Sequence, residues 1–109
     1  MKKVFIGIFL ILGIGAKAQD KQIVTMNNGS VEEVGYITPD GLKDSIWVRY
    51  NEAGVIVGKA SFSKGQKHGV WETYNNQGIK LIEIVYEANC KKFGKRWDES
   101  GNLIETREY

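Results

Sequence analysis

The chain contains a single histidine, His68, and a single cysteine, Cys90. A thiolate nucleophile activated by an imidazole needs both partners side by side. Here the two fall at different offsets within the repeats of the chain, so only a coincidence of folding would pair them. One histidine is also too few for a histidine-based metal cluster or for a triad with a separate base. In the connection Gly65-Gln66-Lys67-His68-Gly69 the imidazole reads as a solvated turn residue, with a pH-sensitive contact as the sharper alternative. The carboxylates Glu32, Glu33, Glu83, Glu87, Asp98, Glu99 and Glu105 are scattered as sheet surface and turns would scatter them. Paired acids of a glycosidase would need a cleft that a flat sheet does not offer. No glycine-rich phosphate loop follows a strand and opens a helix, because the glycines sit at turns. These residues predict no catalytic site, no metal and no cofactor.

What does gather is positive charge. Lys64, Lys67, Lys91, Lys92, Lys95 and Arg96 fall in the connections that follow the closing aromatics of the repeats. If those connections share one rim, Lys64, Lys67, His68, Lys91, Lys92 and Arg96 form a candidate binding surface for an acidic partner or anionic head groups. Two modification signals are weak: the Asn28-Gly29-Ser30 sequon and the Asp44-Ser45-Ile46 triplet of bacterial O-glycosylation.

The elements that position these residues repeat. YNEAGVIVGKASF (50–62), YNNQGIKLIEIVY (74–86) and WDESGNLIETREY (97–109) share an aromatic, Asn or Asp, two variable residues, Gly, seven residues and a closing aromatic. A spacing of 23 to 24 residues suits one β-hairpin per unit and is too short for paired-helix repeats. The tetrads place an Asx residue at the start of a turn and Gly where positive φ is required. The runs beside them are rich in β-branched and aromatic residues and read as strands. GLKDSIWVRY (41–50) and GQKHGVWETY (65–74) place Trp47 and Trp71 equivalently. In the third unit the corresponding segment is two residues shorter, so an irregular hairpin is expected there. The predicted fold is all-β, an antiparallel meander of hairpins. Its repeats cover 41–64, 65–88 and 89–109, and residues 19–40 form an N-terminal segment with a degenerate first hairpin. The predicted repeat core is Trp47, Tyr50, Phe62, Trp71, Tyr74, Tyr86, Trp97 and Tyr109, and the charged strand ETREY is expected to cap an open edge.

The first residues address the compartment. Met1-Lys2-Lys3, the apolar run Val4 to Ala16 and the small-x-small triplet Ala16-Lys17-Ala18 form a signal peptide over residues 1–18. An apolar run of 13 is well short of the roughly 20 residues of a spanning helix. Export to the periplasm, envelope or exterior is the expectation. Lys2, Lys3 and Lys17 leave with the signal, so 15 basic residues become 12 against 13 acidic ones. The mature net charge near −1 lacks the basic footprint of a nucleic-acid binder. With Cys90 as the lone cysteine, no internal disulfide can form.

The units K-H-G-V-W-x-x-Y-x-x-x-G (67–78) and F-G-K-R-W-D-E-S-G (93–101) resemble MORN-repeat-variant proteins, the YwqK-like antitoxin group. The likeness covers roughly 41–109. It implies a hairpin array, no catalytic residues and a role in binding another protein, a toxin in the case of an antitoxin. An export signal restricts that role to an immunity-like one, against a toxin acting in the envelope. The alternative is a peripheral envelope component that contacts anionic lipid or polysaccharide.

Overall fold

The computed structural model describes residues 7–10 and 22–109. The described strands are β1 (Gly7–Leu10), β2 (Gln22–Asn28), β3 (Val31–Ile37), β4 (Lys43–Tyr50), β5 (Ile56–Ser63), β6 (Gln66–Lys67), β7 (Gly69–Tyr74), β8 (Lys80–Glu87), β9 (Cys90–Trp97) and β10 (Leu103–Glu108). They form one antiparallel sheet in chain order, with the short β6 alongside β5. None of the described residues is helical. The all-β meander expected from the sequence is the architecture found. Of the signal segment expected over 1–18, only Gly7–Leu10 lies within the described residues, where it pairs with Gln22–Thr25 of β2.

Local chemistry sets the turns. Asn51, Asn75 and Asp98 each accept the backbone N–H groups two and four residues on, at 2.9 to 3.0 Å. Gly54, Gly78 and Gly101 close these loops at φ 83°, 86° and 91°, where a Cβ would be strained. The β3–β4 loop has the same form: Gly41 closes it at φ 86°, and the hydroxyl of Thr38 accepts Leu42 N–H at 3.1 Å. The loops of the other rim are tighter. Lys64 and Gly65, and likewise Ala88 and Asn89, all take positive φ, the requirement of a two-residue I′ hairpin turn.

The ladders make the repeat geometric. Trp47 pairs with Ala60, Trp71 with Ile84, and Gly94 with Arg107. Beyond one shared bulge, Tyr50 pairs with Ile56, Tyr74 with Lys80 and Trp97 with Leu103. The third hairpin is therefore not irregular in its own ladder, contrary to the expectation from its length. The difference is absorbed next door: Cys90 and Lys91 pair with Glu87 and Tyr86 as Gln66 and Lys67 of β6 pair with Ser63 and Phe62, but β9 then runs on after a bulge at Lys92 alone, between the Tyr86–Lys91 and Val85–Phe93 pairs.

A single layer has two faces and little interior. The radius of gyration is 15.8 Å, against about 13 Å for a compact domain of this length. Strand alternation puts Trp47, Phe62, Trp71, Tyr86 and Tyr109 on one face, called here the indole face, and Tyr50, Tyr74 and Trp97 on the other. Among the described residues the fully buried hydrophobic side chains are Val24, Trp47 at 1% exposure and Tyr86 at 8%. Tyr50, Phe62, Trp71, Tyr74 and Trp97 are half-buried. Tyr109, expected in the core, is 54% exposed, beside β10 at the edge of the described sheet.

Candidate functional site

Lys43, Lys67 and Lys91 recur every 24 residues, each with its ammonium over an aromatic ring of the indole face. Lys43 lies 4.6 Å from the Trp47 ring centroid and 5.2 Å from that of Phe62. Lys67 lies 4.9 Å from Trp71 and 5.1 Å from Tyr86, and Lys91 lies 5.3 Å from Tyr109. The rings beneath them are themselves in edge contact: Phe62 to Trp71 at 5.2 Å and Trp71 to Tyr86 at 5.1 Å. Two interstrand steps of about 4.8 Å separate successive lysines, so the row repeats at about 10 Å across the sheet. Sequence reasoning missed Lys43. Its signal was the shared Gly-x-Lys of 41–43 and 65–67.

The other predicted surface residues divide. Lys64 forms the β5–β6 turn and donates its backbone N–H to the Asp44 carboxylate at 3.2 Å. His68 is exposed on the same rim, where its Nδ1 accepts the Ala88 N–H at 3.4 Å. Lys92 is exposed and its carbonyl accepts Tyr109 N–H at 3.1 Å. Arg96 does not belong to that rim. It sits toward the opposite end of β9, one pair from Trp97, and is bound to Glu105 at 3.1 Å. Lys95 faces the other side, opposite Glu83 and Thr106. Cys90 is exposed, with a free thiol, at the start of β9.

The second face carries a charge network and an apolar stripe. Lys80 joins Glu72 at 3.1 Å and Glu83 at 2.7 Å, and its ammonium stands 5.1 Å from the Trp97 ring. The Tyr74 hydroxyl donates to Glu72 at 2.7 Å. That hydrogen bond, with help from Lys80, holds the Glu72 carboxyl below the usual glutamate range. Burial and the same carboxylate push the Tyr74 phenol up to about 12. The Glu83 hydrogen bond raises Lys80, so it stays an ammonium and serves as neither base nor nucleophile near neutrality. Beside this network, Ile46, Val70 and Phe93 occupy equivalent positions of the three hairpins. They are 56%, 45% and 51% exposed, and Val85 bridges Val70 to Phe93.

The indole face has one gap. Trp47 projects over Gly35 of the preceding strand and donates its Nε1–H to the Tyr36 carbonyl at 3.0 Å. Trp71 makes the same bond to Ser61 at 2.8 Å. At the equivalent position of the third hairpin stands Gly94. A hollow of about 220 Å³ opens there, lined by Ile82, Ile84, Gly94, Arg96, Arg107 and Tyr109.

Among the described residues no group of His, Cys, Asp or Glu could hold a metal ion. Among the described residues no helix is long and apolar enough to cross a membrane. Comparison with protein-family models, curated proteins and solved structures finds no match to this chain.

Proposed function

We propose that the chain is an exported, non-enzymatic hairpin-repeat protein that binds another protein through the open face of its sheet. The observation that carries this reading is the stripe of Ile46, Val70 and Phe93. Three large apolar side chains at equivalent register positions, half exposed on a face that the described residues leave open, resemble the uncovered side of an interface. Scattered exposed hydrophobics are ordinary; a row at one register position in successive hairpins is continuous surface. The resemblance to MORN-repeat-variant proteins adds a toxin acting in the envelope as one kind of partner, with this chain in an immunity-like role.

Velocity sedimentation of a mild extract of the native cells tests the reading. The chain is expected to travel with a second polypeptide, in a complex heavier than its own 12.3 kDa. Treatment with protease, but not with detergent or glycosidase, should disperse it. Migration as a monomer, or as copies of this chain alone, contradicts the proposal.

One observation favours a second reading. The lysine row of Lys43, Lys67 and Lys91 presents cations at a regular spacing, which suits an anionic lipid or polysaccharide surface. Flotation with anionic vesicles at low salt separates the two: cofloating protein that salt releases supports the surface reading, and protein left at the bottom removes its lipid form.

A further inference from the structure

The strongest asymmetry among the three hairpins is the hollow over Gly94. In the first two, the residue at this register position is a tryptophan whose ring crosses the strand before it: Trp47 crosses β3 at Gly35, and Trp71 hydrogen-bonds the β5 backbone at Ser61. In the third, cross-strand pairing with Arg107, opposite in kind to Trp47–Ala60 and Trp71–Ile84, falls to a glycine. The strand that a third indole would cross is β8, and its Ile82 and Ile84 are the apolar floor of the hollow. The seat thus keeps its apolar floor and lacks the indole, and the Tyr109 ring leans over Gly94 and buries it from one side.

We propose that this seat is a recognition pocket for one aromatic side chain, an indole above all, inserted by a partner polypeptide. The volume of about 220 Å³ holds a single large ring. The half-exposed Tyr109 ring forms one wall, its edge 3.3 Å from where a Gly94 Cβ would lie, and offers a stacking partner. Charge at the mouth selects the flanks. Arg96 and Arg107 share one carboxylate, Glu105, at 3.1 and 2.9 Å, which leaves the rim with net positive charge and favours acidic residues beside the inserted ring. Aromatic anchors in preformed pockets are the usual centres of protein–protein affinity. The pocket lies on the face opposite the Ile46–Val70–Phe93 stripe, so it stands or falls independently of it.

The test is a titration of the purified full chain with N-acetyltryptophanamide, and with the alanine analogue, followed through backbone amide resonances. Saturable shifts centred on Gly94, Ile84 and Arg107 are expected with the tryptophan probe and none with alanine. Gly94→Trp should abolish them and raise the melting temperature by supplying the missing ring, since Gly94 does not need positive φ. Should that variant not fold, Gly94→Leu, which fills part of the seat, should weaken the probe severalfold. Absence of saturation at millimolar probe, or equal shifts in a folded Gly94 variant, overturns the proposal, whatever the sedimentation of the native complex shows.

Discussion

The indole of Trp47 rests so close to the backbone of Gly35 on the preceding strand that a Cβ added at Gly35 would overlap the ring. This contact lets one tryptophan become fully buried although the described strands form a single sheet. Val24, which pairs with Gly35 from the other side, is buried as well. Gly35→Ala is therefore expected to cost about 1–3 kcal/mol, the usual range for overpacking a filled site. Equilibrium unfolding in urea measures it, and an unchanged midpoint would mean that the indole does not lie there.

Closing aromatics should not be energetically equal. Tyr86 is enclosed by Trp71 and the Lys67 stem, whereas Tyr109 has a neighbour on one side only. Tyr86→Ala is expected to lose about 3 kcal/mol or more. Tyr109→Ala should lose under about 1 kcal/mol, as exposed substitutions do. Equal losses at the two positions would contradict the burial pattern.

The Asx turns predict a selective effect of amide against methyl. Asn75 accepts the N–H groups of Gln77 and Ile79, and removing that acceptor in Asn75→Ala should cost about 1–3 kcal/mol at a net of about 0.5–1.5 per hydrogen bond. Asn75→Asp keeps the acceptor and should stay close to the parent. Thermal denaturation of the two variants decides the point.

Acid and base should act through Glu72 and Tyr74. A carboxyl whose folded value is lowered stabilises above its unfolded range, and that contribution is lost as the pH falls through the lowered value. A phenol raised to about 12 works the other way: its contribution is complete below the ordinary tyrosine range and disappears as the pH rises through about 12. Tyr74→Phe removes the hydrogen bond that chiefly lowers Glu72 and that, after burial, raises Tyr74. The variant is expected to show a shallower loss of stability on acidification, and its absorbance titration should lack the tyrosine that ionises near 12. An unaltered acid limb would mean that the bond is not formed in solution.

Much of this fold could be read in the chain, and the reasons lie in particular residues. The tetrads Asn51–Gly54, Asn75–Gly78 and Asp98–Gly101 are local: an Asx acceptor and a positive-φ glycine three positions apart dictate the same loop wherever they occur. Trp47 and Trp71 could be equated because equal numbers of residues separate them from their glycines. Gly94 could not, because its equivalence to those tryptophans arises across strands and is displaced along the chain by the Lys92 bulge. Arg96 was misplaced for the same reason: one residue fewer between Lys91 and Gly94 than between Lys67 and Trp71 shifted the numbering of a whole strand against its neighbours. Which face each aromatic takes followed from alternation only after the bulges between Arg49 and Tyr50, and between Thr73 and Tyr74, were fixed by the ladder.

The central claim is that a second protein covers the Ile46–Val70–Phe93 stripe. Parallel affinity capture from the native cells, with in-cell crosslinking and mass spectrometry, compares the full tagged chain with a Val70→Lys version. Val70 is 45% exposed, so the lysine should leave the melting temperature nearly unchanged. The account predicts one protein at equal stoichiometry on the parent chain, with crosslinks to Lys59 or Lys95 of the same face, and its loss from the folded Val70→Lys bait. Recovery of the parent chain without a stoichiometric protein, or undiminished recovery on the variant, would contradict it.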